Sequence, residues 1–283
     1  MQTQEIAIRE SQKASWNSFS PGWKKWDDFT MRFLGSQGQQ ILNNLYLEPT
    51  DTVLDIAAGT GEPGLHIAAV VHKGHVIAAD LSEGMTQIAR EKAESQAIGN
   101  FSSMVADACE LPFADNTFDK ISCRLGFMFF PDMQQAAIEM IRVLKPGGKI
   151  AGTVWGSPVD NRWITTILGV LKNRVELPAP PPGGPGLFRC AQPGFMTGLL
   201  QNAGWTGATE AEIHGAMHCD SAREYWQFMN DVVPPVVAAC RDMDPYLRDL
   251  LQQDLDEVLD KSPTGKPQGL SYCARIFTAH KPQ

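Results

Sequence analysis

Acidic side chains occur at the ends of three successive apolar segments in the first half of the chain. Asp55 lies near the end of the first segment, Asp80 ends the second and Asp107 directly follows the third. If these segments are parallel strands, their carboxyl ends meet at one edge of the sheet, where ligands of such sheets bind. Carboxylates accept hydrogen bonds from hydroxyl, amino and ammonium groups but disfavour phosphates. The three acids therefore predict a site for a nucleoside without phosphates, with Asp55 facing an ammonium group.

A glycine-rich turn follows the first segment. Gly59, Gly61 and Gly64 spell G-x-G-x-x-G, and glycine allows positive φ and a close approach of a ligand to the backbone. Alone, this pattern would equally suit a dinucleotide.

Strand-like and helix-like segments alternate from residue 52 onward, which predicts an α/β fold with a doubly wound parallel sheet. Strands are predicted at residues 52–57, 75–80, 101–106, 118–124, 149–155, 205–214 and 270–279. Helices are predicted at residues 64–72, 82–96, 132–144, 161–177 and 193–202, with Ser82 and Asp132 as N-caps. Residues 5–47 and 221–259 are mostly helical in pattern, residues 178–186 form a Pro-rich loop, and turns are expected at Ser20-Pro21-Gly22 and Gly35.

Five short motifs resemble those of one family, in that family's order. They are Leu54-Asp55-Ile56-Ala57-Ala58-Gly59-Thr60-Gly61-Glu62-Pro63-Gly64, Ala79-Asp80-Leu81-Ser82-Glu83-Gly84-Met85, Val105-Ala106-Asp107-Ala108 with Leu111-Pro112-Phe113, Asn116-Thr117-Phe118-Asp119, and Arg142-Val143-Leu144-Lys145-Pro146-Gly147-Gly148. The sequence resembles the class I S-adenosylmethionine-dependent methyltransferases, most closely their ubiquinone/menaquinone-biosynthesis-like (methyltransferase type 11) branch. The resemblance covers roughly residues 50–156 and is loose elsewhere.

The resemblance implies a Rossmann-like seven-stranded sheet whose last strand is antiparallel, with helical lid additions. It implies a lid at residues 1–47 and a methyltransferase domain at 48–283, with cap insertions at about 157–192 and 219–268. S-adenosyl-L-methionine is the implied cofactor, with the glycines against its methionine part, Asp80 on the ribose and Asp107-Ala108 at the adenine. The implied cofactor-binding residues are Asp55, Ala57, Gly59, Thr60, Gly61, Asp80, Leu81, Met85, Asp107, Ala108, Arg124 and Leu125.

The acceptor is expected to be a small aromatic or apolar molecule, methylated at carbon, oxygen or nitrogen by in-line displacement. Aromatic residues of the N-terminal helices, together with Phe127, Met128, Phe129 and Trp155, are predicted to line an apolar chamber. The alternative for any one of these segments is decoration of the fold or a subunit interface.

An acceptor that must lose a proton needs a base. His214 and His218 are the first candidates because they stand near the carboxyl end of the sixth strand, and Tyr272 is the next. For each histidine, a packed or surface role is the alternative. No metal site is expected, since Asp132 is better explained as a helix N-cap.

Composition narrows the function classes. The 283 residues include 24 basic and 32 acidic side chains, a net charge of −8, and contain no basic block, which disfavours a nucleic-acid partner. The six cysteines are far apart without a C-x-x-C pair, which suits neither a zinc site nor a disulfide framework. No membrane span or export signal is apparent, so a cytoplasmic protein is expected. The oligomeric state, a homodimer included, stays open.

Two other functions remain open from the residues. An NAD-dependent oxidoreductase would use the same glycine pattern, although Asp55 and the Asp107-Ala108 pair disfavour it. A non-catalytic cofactor-binding protein of the same fold would keep the same site.

Overall fold

The computed structural model describes residues 2–177, 184–240, 243–259 and 269–283. Most of the predicted Pro-rich loop at 178–186 and part of the predicted insertion at 219–268 therefore lie outside the described residues.

Seven strands of the described residues form a single sheet. They are β1 (Thr52–Ile56), β2 (His75–Asp80), β3 (Phe101–Val105), β4 (Phe118–Arg124), β5 (Leu144–Trp155), β6 (Thr206–Met217) and β7 (Leu270–His280). The spatial order is β3-β2-β1-β4-β5-β7-β6, and β7 is antiparallel to both β5 and β6. The prediction of a doubly wound sheet with an antiparallel last strand is confirmed.

The strand order reverses at β1, which pairs with β2 on one side and with β4 on the other. Because β2 and β4 lie on opposite sides of β1, the chain connections to them diverge, and a crevice opens above the carboxyl end of β1. Ligands of open α/β sheets bind in such a crevice.

Ten α-helices are described. They are α1 (Gln2–Lys25), α2 (Asp27–Leu45), α3 (Gly64–Val70), α4 (Glu83–Ser95), α5 (Met133–Val143), α6 (Arg162–Lys172), α7 (Phe195–Asn202), α8 (Ala222–Val232), α9 (Pro234–Cys240) and α10 (Pro245–Leu259). The predicted N-caps are confirmed: the Ser82 hydroxyl accepts a hydrogen bond from the backbone N–H of Met85, and Asp132 accepts one from Gln135.

The turns expected at Ser20-Pro21-Gly22 and at Gly35 are wrong, because α1 runs through Pro21 and α2 runs through Gly35. Pro21 has no N–H to donate to the carbonyl of Asn17, and the hydroxyl of Ser20 donates to that carbonyl instead, at 3.0 Å. Gly22 serves packing: a Cβ there would overlap the carbonyl oxygen of Asp231 on α8.

The two N-terminal helices have different environments. Helix α1 packs on α4 and α8, over the carboxyl edge of the sheet, whereas α2 packs directly on β4, β5, β6 and β7. Phe29, Phe33 and Ile41 of α2 are buried in the core. Helix α2 is therefore part of the sheet's own packing layer, whereas α1 crosses the carboxyl edge.

Among the described residues, no helix combines the length and the apolar character needed to cross a bilayer.

Candidate functional site

A large cavity lies above the carboxyl ends of β1, β2 and β4. Its volume is about 1350 Å³ including the open mouth, and its walls come from the sheet edge, α1, α2 and the end of α8. It lies where the topology predicts a ligand crevice.

The glycine-rich loop forms one side of this cavity. Gly59 and Gly61 have φ of +54° and +102°, in the left-handed region that favours glycine. A Cβ on Gly61 would lie 3.0 Å from the side chain of Leu65, so the loop also needs a small residue there for packing. Gly59 lines the cavity, whereas Gly61 lies outside its lining.

Asp80 ties this loop to the start of α4. One carboxylate oxygen accepts a hydrogen bond from Gly59 N–H and the other accepts one from Ser82 N–H, both at 2.9 Å. Burial raises the pKa of Asp80, and the two backbone hydrogen bonds oppose that shift. Because Asp80 lines the cavity, its remaining lone pairs can accept hydrogen bonds from a ligand's hydroxyl groups.

Asp55 has a different position from the predicted one. It is fully buried beneath the loop and outside the cavity lining, where it accepts hydrogen bonds from Gly64 N–H at 3.0 Å and from the Ser122 hydroxyl at 2.6 Å. Burial raises its pKa to about 7. Its carboxyl group holds the start of α3 against β4 rather than facing a ligand.

Glu62 lines the cavity at the end of the same loop, and sequence reasoning missed it. Its side chain is 5% exposed; one oxygen lies 2.5 Å from His66 Nδ1 and the other 3.6 Å from Lys92 Nζ. The signal was present, because Glu62 falls inside the glycine motif that carried the family resemblance.

Arg124, at the end of β4, supplies a positive charge to the same part of the cavity. Its Nη1 atom is buried and has no hydrogen-bond partner among the described residues. Burial lowers its pKa, while the charge of Glu62 raises it. Glu62 and Arg124 thus present opposite charges to the cavity beside the start of α3.

Asp107 marks the opposite end of the cavity. One of its oxygens accepts a hydrogen bond from Cys109 N–H at 2.9 Å, and Arg9 Nε of α1 lies 2.7 Å from the other. Farther along α1, the Asn17 side chain accepts hydrogen bonds from the Ser82 hydroxyl and Gly84 N–H. Helix α1 is therefore held over the cavity by polar contacts to the same strand ends that line it.

Aromatic rings make up the remaining wall. Trp16 packs against Phe129 with ring centroids 5.1 Å apart, and Trp155 packs against Phe33 at 6.1 Å and against Trp163 at 4.8 Å. Phe129 and Trp155 line the cavity as predicted. Phe127 and Met128 do not, because both are fully buried in the core. Trp23, Phe130 and Phe228 also contribute to the wall.

The structure separates the three predicted bases from the cavity, since His214, His218 and Tyr272 all lie outside its described lining. His214 is exposed and contacts Glu212, and His218 is exposed as well. Tyr272 is buried behind the rings of Phe33 and Trp155. The reason is the strand order: β7 lies between β5 and β6, so β6 is an edge strand far from β1.

Ten of the twelve residues that the resemblance implied for cofactor binding line the cavity, Asp55 and Gly61 being the exceptions. The ten are Ala57, Gly59, Thr60, Asp80, Leu81, Met85, Asp107, Ala108, Arg124 and Leu125.

Residues 53–148 match the family model described as a methyltransferase domain. Similar curated proteins include a ubiquinone/menaquinone biosynthesis C-methyltransferase of Idiomarina loihiensis, 41% identical over 110 residues, which are 38% of this chain and 44% of that protein. A demethylmenaquinone methyltransferase of Listeria welshimeri is 40% identical over 114 residues, 40% of this chain and 48% of that protein. The chain thus matches less than half the length of either relative.

Solved structures support the fold. The YcgJ protein of Bacillus subtilis is similar with a TM-score of 0.59 and 17% identity, over 88% of this chain and 99% of that one. A phosphoethanolamine N-methyltransferase 2 of Haemonchus contortus in complex with S-adenosyl-L-methionine has a TM-score of 0.53 and 20% identity, over 88% of this chain and 53% of that one.

Proposed function

We propose that this chain uses S-adenosylmethionine to methylate a small apolar acceptor. Its class I methyltransferase fold and the match of residues 53–148 to a methyltransferase domain support the proposal. The observation that carries the proposal is the composition of a single cavity. A glycine-rich loop and two strand-end carboxylates, Asp80 and Asp107, line one part of it, and a wall of aromatic rings lines the rest.

The donor groups of the cavity fit a nucleoside that carries an amino acid. In this proposal Asp80 accepts hydrogen bonds from the ribose hydroxyls, and Asp107 with Ala108 contacts the adenine. Glu62 and Arg124 match the ammonium and carboxylate groups of a methionine moiety. The N–H groups of Gly59, Gly61 and Gly64 already donate, to Asp80, to the Ala58 carbonyl and to Asp55, so they are not available to a pyrophosphate. This favours the methyl donor over a nicotinamide dinucleotide.

If the cofactor takes the polar part of the cavity, the aromatic part is left for the acceptor. The wall formed by Trp16, Phe129 and Trp155 suits a flat apolar acceptor placed beside the cofactor.

The bound cofactor supplies a methyl group on a positively charged sulfur. The chain's own residues orient the reactants and exclude water, which is how most of the rate of an in-line displacement is gained. The faces of Trp16 and Phe129 can stabilise positive charge near the reacting atoms. Helix α1, held by Arg9 and Asn17, keeps solvent out of the site.

Proton removal limits the choice of acceptor atom. The described lining residues include no His, Lys, Cys or Tyr, and their carboxylates, on Glu62, Asp80 and Asp107, already have hydrogen-bond or ion-pair partners. We therefore favour an acceptor carbon or nitrogen that attacks the methyl group first and loses its proton to water afterwards, so that the transfer step itself needs no protein base. The two relatives, a quinone-pathway C-methyltransferase and a demethylmenaquinone methyltransferase, support ring carbon of a quinol-like acceptor as the first choice.

Binding and transfer can be tested separately on the full chain. We expect calorimetry to show binding of S-adenosylhomocysteine and no binding of NAD⁺. A panel of naphthoquinols, phenols and amines with radiolabelled methyl donor then identifies the acceptor, and Trp155→Ala should weaken acceptor binding but not cofactor binding. Binding of NAD⁺ in place of S-adenosylhomocysteine would overturn the proposal. Cofactor binding without transfer to any acceptor would instead favour a non-catalytic cofactor-binding protein.

A further inference from the structure

Three metal-ligating side chains of different chemistry meet on the outer strands of the sheet, away from the cavity. They are Glu212 and His214 of β6 and Cys273 of β7. Each residue offers one ligand atom: a carboxylate oxygen of Glu212, an imidazole nitrogen of His214 and Sγ of Cys273. These three atoms lie within 4.8 Å of one another. None of the three lines the cavity, so the proposed methyl transfer does not account for their position.

The strand pairing explains why they meet. His214 lies directly opposite Cys273 in the antiparallel pair of β6 and β7, and Glu212 lies two residues earlier on the same face. The backbone N–H and C=O of Cys273 point away from β6, toward the β5 side of β7. Both are hydrogen-bonded to the side chain of Asn161, and Gly156 N–H also donates to the carbonyl. His214 and Cys273 are therefore a non-hydrogen-bonded pair, the kind whose side chains approach most closely.

Glu212 carries the negative charge of this cluster and shares it with two neighbours. Arg275 holds one oxygen of Glu212 at 2.8 Å, and the other oxygen lies 3.1 Å from His214 Nε2. Cys273 is 1% exposed. A metal ion supplies the positive charge that favours the thiolate, and the thiol proton leaves to solvent.

We propose that Glu212, His214 and Cys273 bind a borderline-soft divalent transition-metal ion, for which Zn²⁺ is the best match, with water as a fourth ligand. A thiolate and an imidazole select against the hard cations Mg²⁺ and Ca²⁺. Zinc bonds of about 2.0–2.3 Å require ligand atoms roughly 3.5 Å apart in a tetrahedron. The side chain of His214 is 66% exposed and that of Glu212 is 46% exposed, so both are free to move closer to Cys273 until the ligand atoms reach this separation.

Cobalt titration of the chelator-treated full chain under reducing conditions tests the site, because thiolate coordination of Co²⁺ produces a charge-transfer band in the near ultraviolet. We expect the band to saturate at one ion per chain and to disappear when Zn²⁺ is added. Cys273→Ser should remove the band. Loss of even an outer hydrogen bond to a metal ligand costs about tenfold in affinity, so His214→Asn should weaken binding at least as much.

Matched controls separate this site from nonspecific binding by other thiols and histidines. His218→Asn changes an exposed histidine four residues away, and Cys219→Ser changes another buried cysteine; both variants should keep the band and the affinity. Since Cys273→Ser could affect folding, Glu212→Gln at an exposed position provides a second test and should weaken binding. The proposal is overturned if the wild type shows no band, if Cys273→Ser keeps it, or if the controls lose affinity equally.

Discussion

Asp55 and Asp80 are two buried carboxylates on neighbouring strands, and their partners give them different tasks. Asp80 lines the cavity and joins the glycine-rich loop to α4, whereas Asp55 holds the start of α3 from below. Burial raises the pKa of both, to about 7 for Asp55. At the residue scale, then, one acid serves the ligand site and the other serves the fold.

Asp55→Asn should change how stability depends on pH. An unfolded Asp loses its proton near pH 3.8, and the native one loses it near pH 7. Between these values the native state holds the extra proton, so the contribution of Asp55 to the free energy of unfolding falls as pH rises, by roughly 1 kcal/mol per pH unit. The amide can accept from Gly64 and donate to Ser122, so the variant should fold and lose this dependence. Urea unfolding at pH 5, 6 and 7 checks this, and parallel curves for the two proteins would contradict it.

Glu62→Gln tests whether the cavity recognises an amino acid moiety. A hydrogen bond to a charged group contributes about 1.5–3 kcal/mol, so we expect S-adenosylhomocysteine to bind roughly 10- to 100-fold more weakly. Affinity for 5′-methylthioadenosine, which has no amino acid part, should stay unchanged. As the control, Asp107→Asn should weaken both ligands, because both carry adenine. Equal losses for both ligands in Glu62→Gln would show that Glu62 acts on loop structure instead.

At the scale of elements, the N-terminal helices show that glycine and proline do not always end a helix. Proline removes a donor, but Ser20 replaces it at Asn17, and glycine can be required by a neighbouring helix rather than by a turn. The helices break at Trp26 instead, between α1 and α2. The break lets α2 pack on the sheet while α1 crosses the carboxyl edge.

Alanine at the two helical glycines should have opposite effects. Gly22→Ala places a Cβ against the backbone of α8, and such overpacking destabilises by about 1–3 kcal/mol. Gly35→Ala meets nothing within 4 Å and should stabilise by about 0.5–1 kcal/mol through helix propensity. Chemical denaturation of the two variants measures both effects. Stabilisation by Gly22→Ala would mean that α1 does not rest on α8 as closely as described.

At the scale of the molecule, the chain divides into a sheet that carries the polar part of the site and helices that close over it. The cavity walls are completed by helices α1 and α2 and by the end of α8. Helix α7 lies outside the described lining. If the proposed cofactor occupies the cavity, its binding should stabilise the covering helices as well as the loop against local opening.

Hydrogen exchange with and without S-adenosylhomocysteine tests this arrangement. We expect slower exchange in α1, in the loop at residues 57–62 and at the end of α8, because the ligand bridges these segments. Helix α7 should serve as the internal control and stay unchanged. Protection confined to the loop would mean that α1 and α8 cover the site without responding to the cofactor.

Periodicity and caps in the sequence determined the parallel strands, the helices between them and the glycine-rich loop, because each depends on neighbours close in the chain. The same local signals predicted that Asp80 and Asp107 lie at one edge of the sheet, and both line the cavity there. Local signals misjudged Asp55, Phe127 and Met128, because the pleat and the packing decide which side chain turns toward a cavity.

Tertiary structure alone decided what depends on pairing between distant segments. The insertion of β7 between β5 and β6 removed His214 from the site and brought it opposite Cys273, 59 residues later in the chain. No spacing rule along the sequence finds such a pair, because cross-strand neighbours are set by the order and register of the whole sheet. The opposite charges of Glu62 and Arg124 likewise influence each other only because β1 and β4 are adjacent.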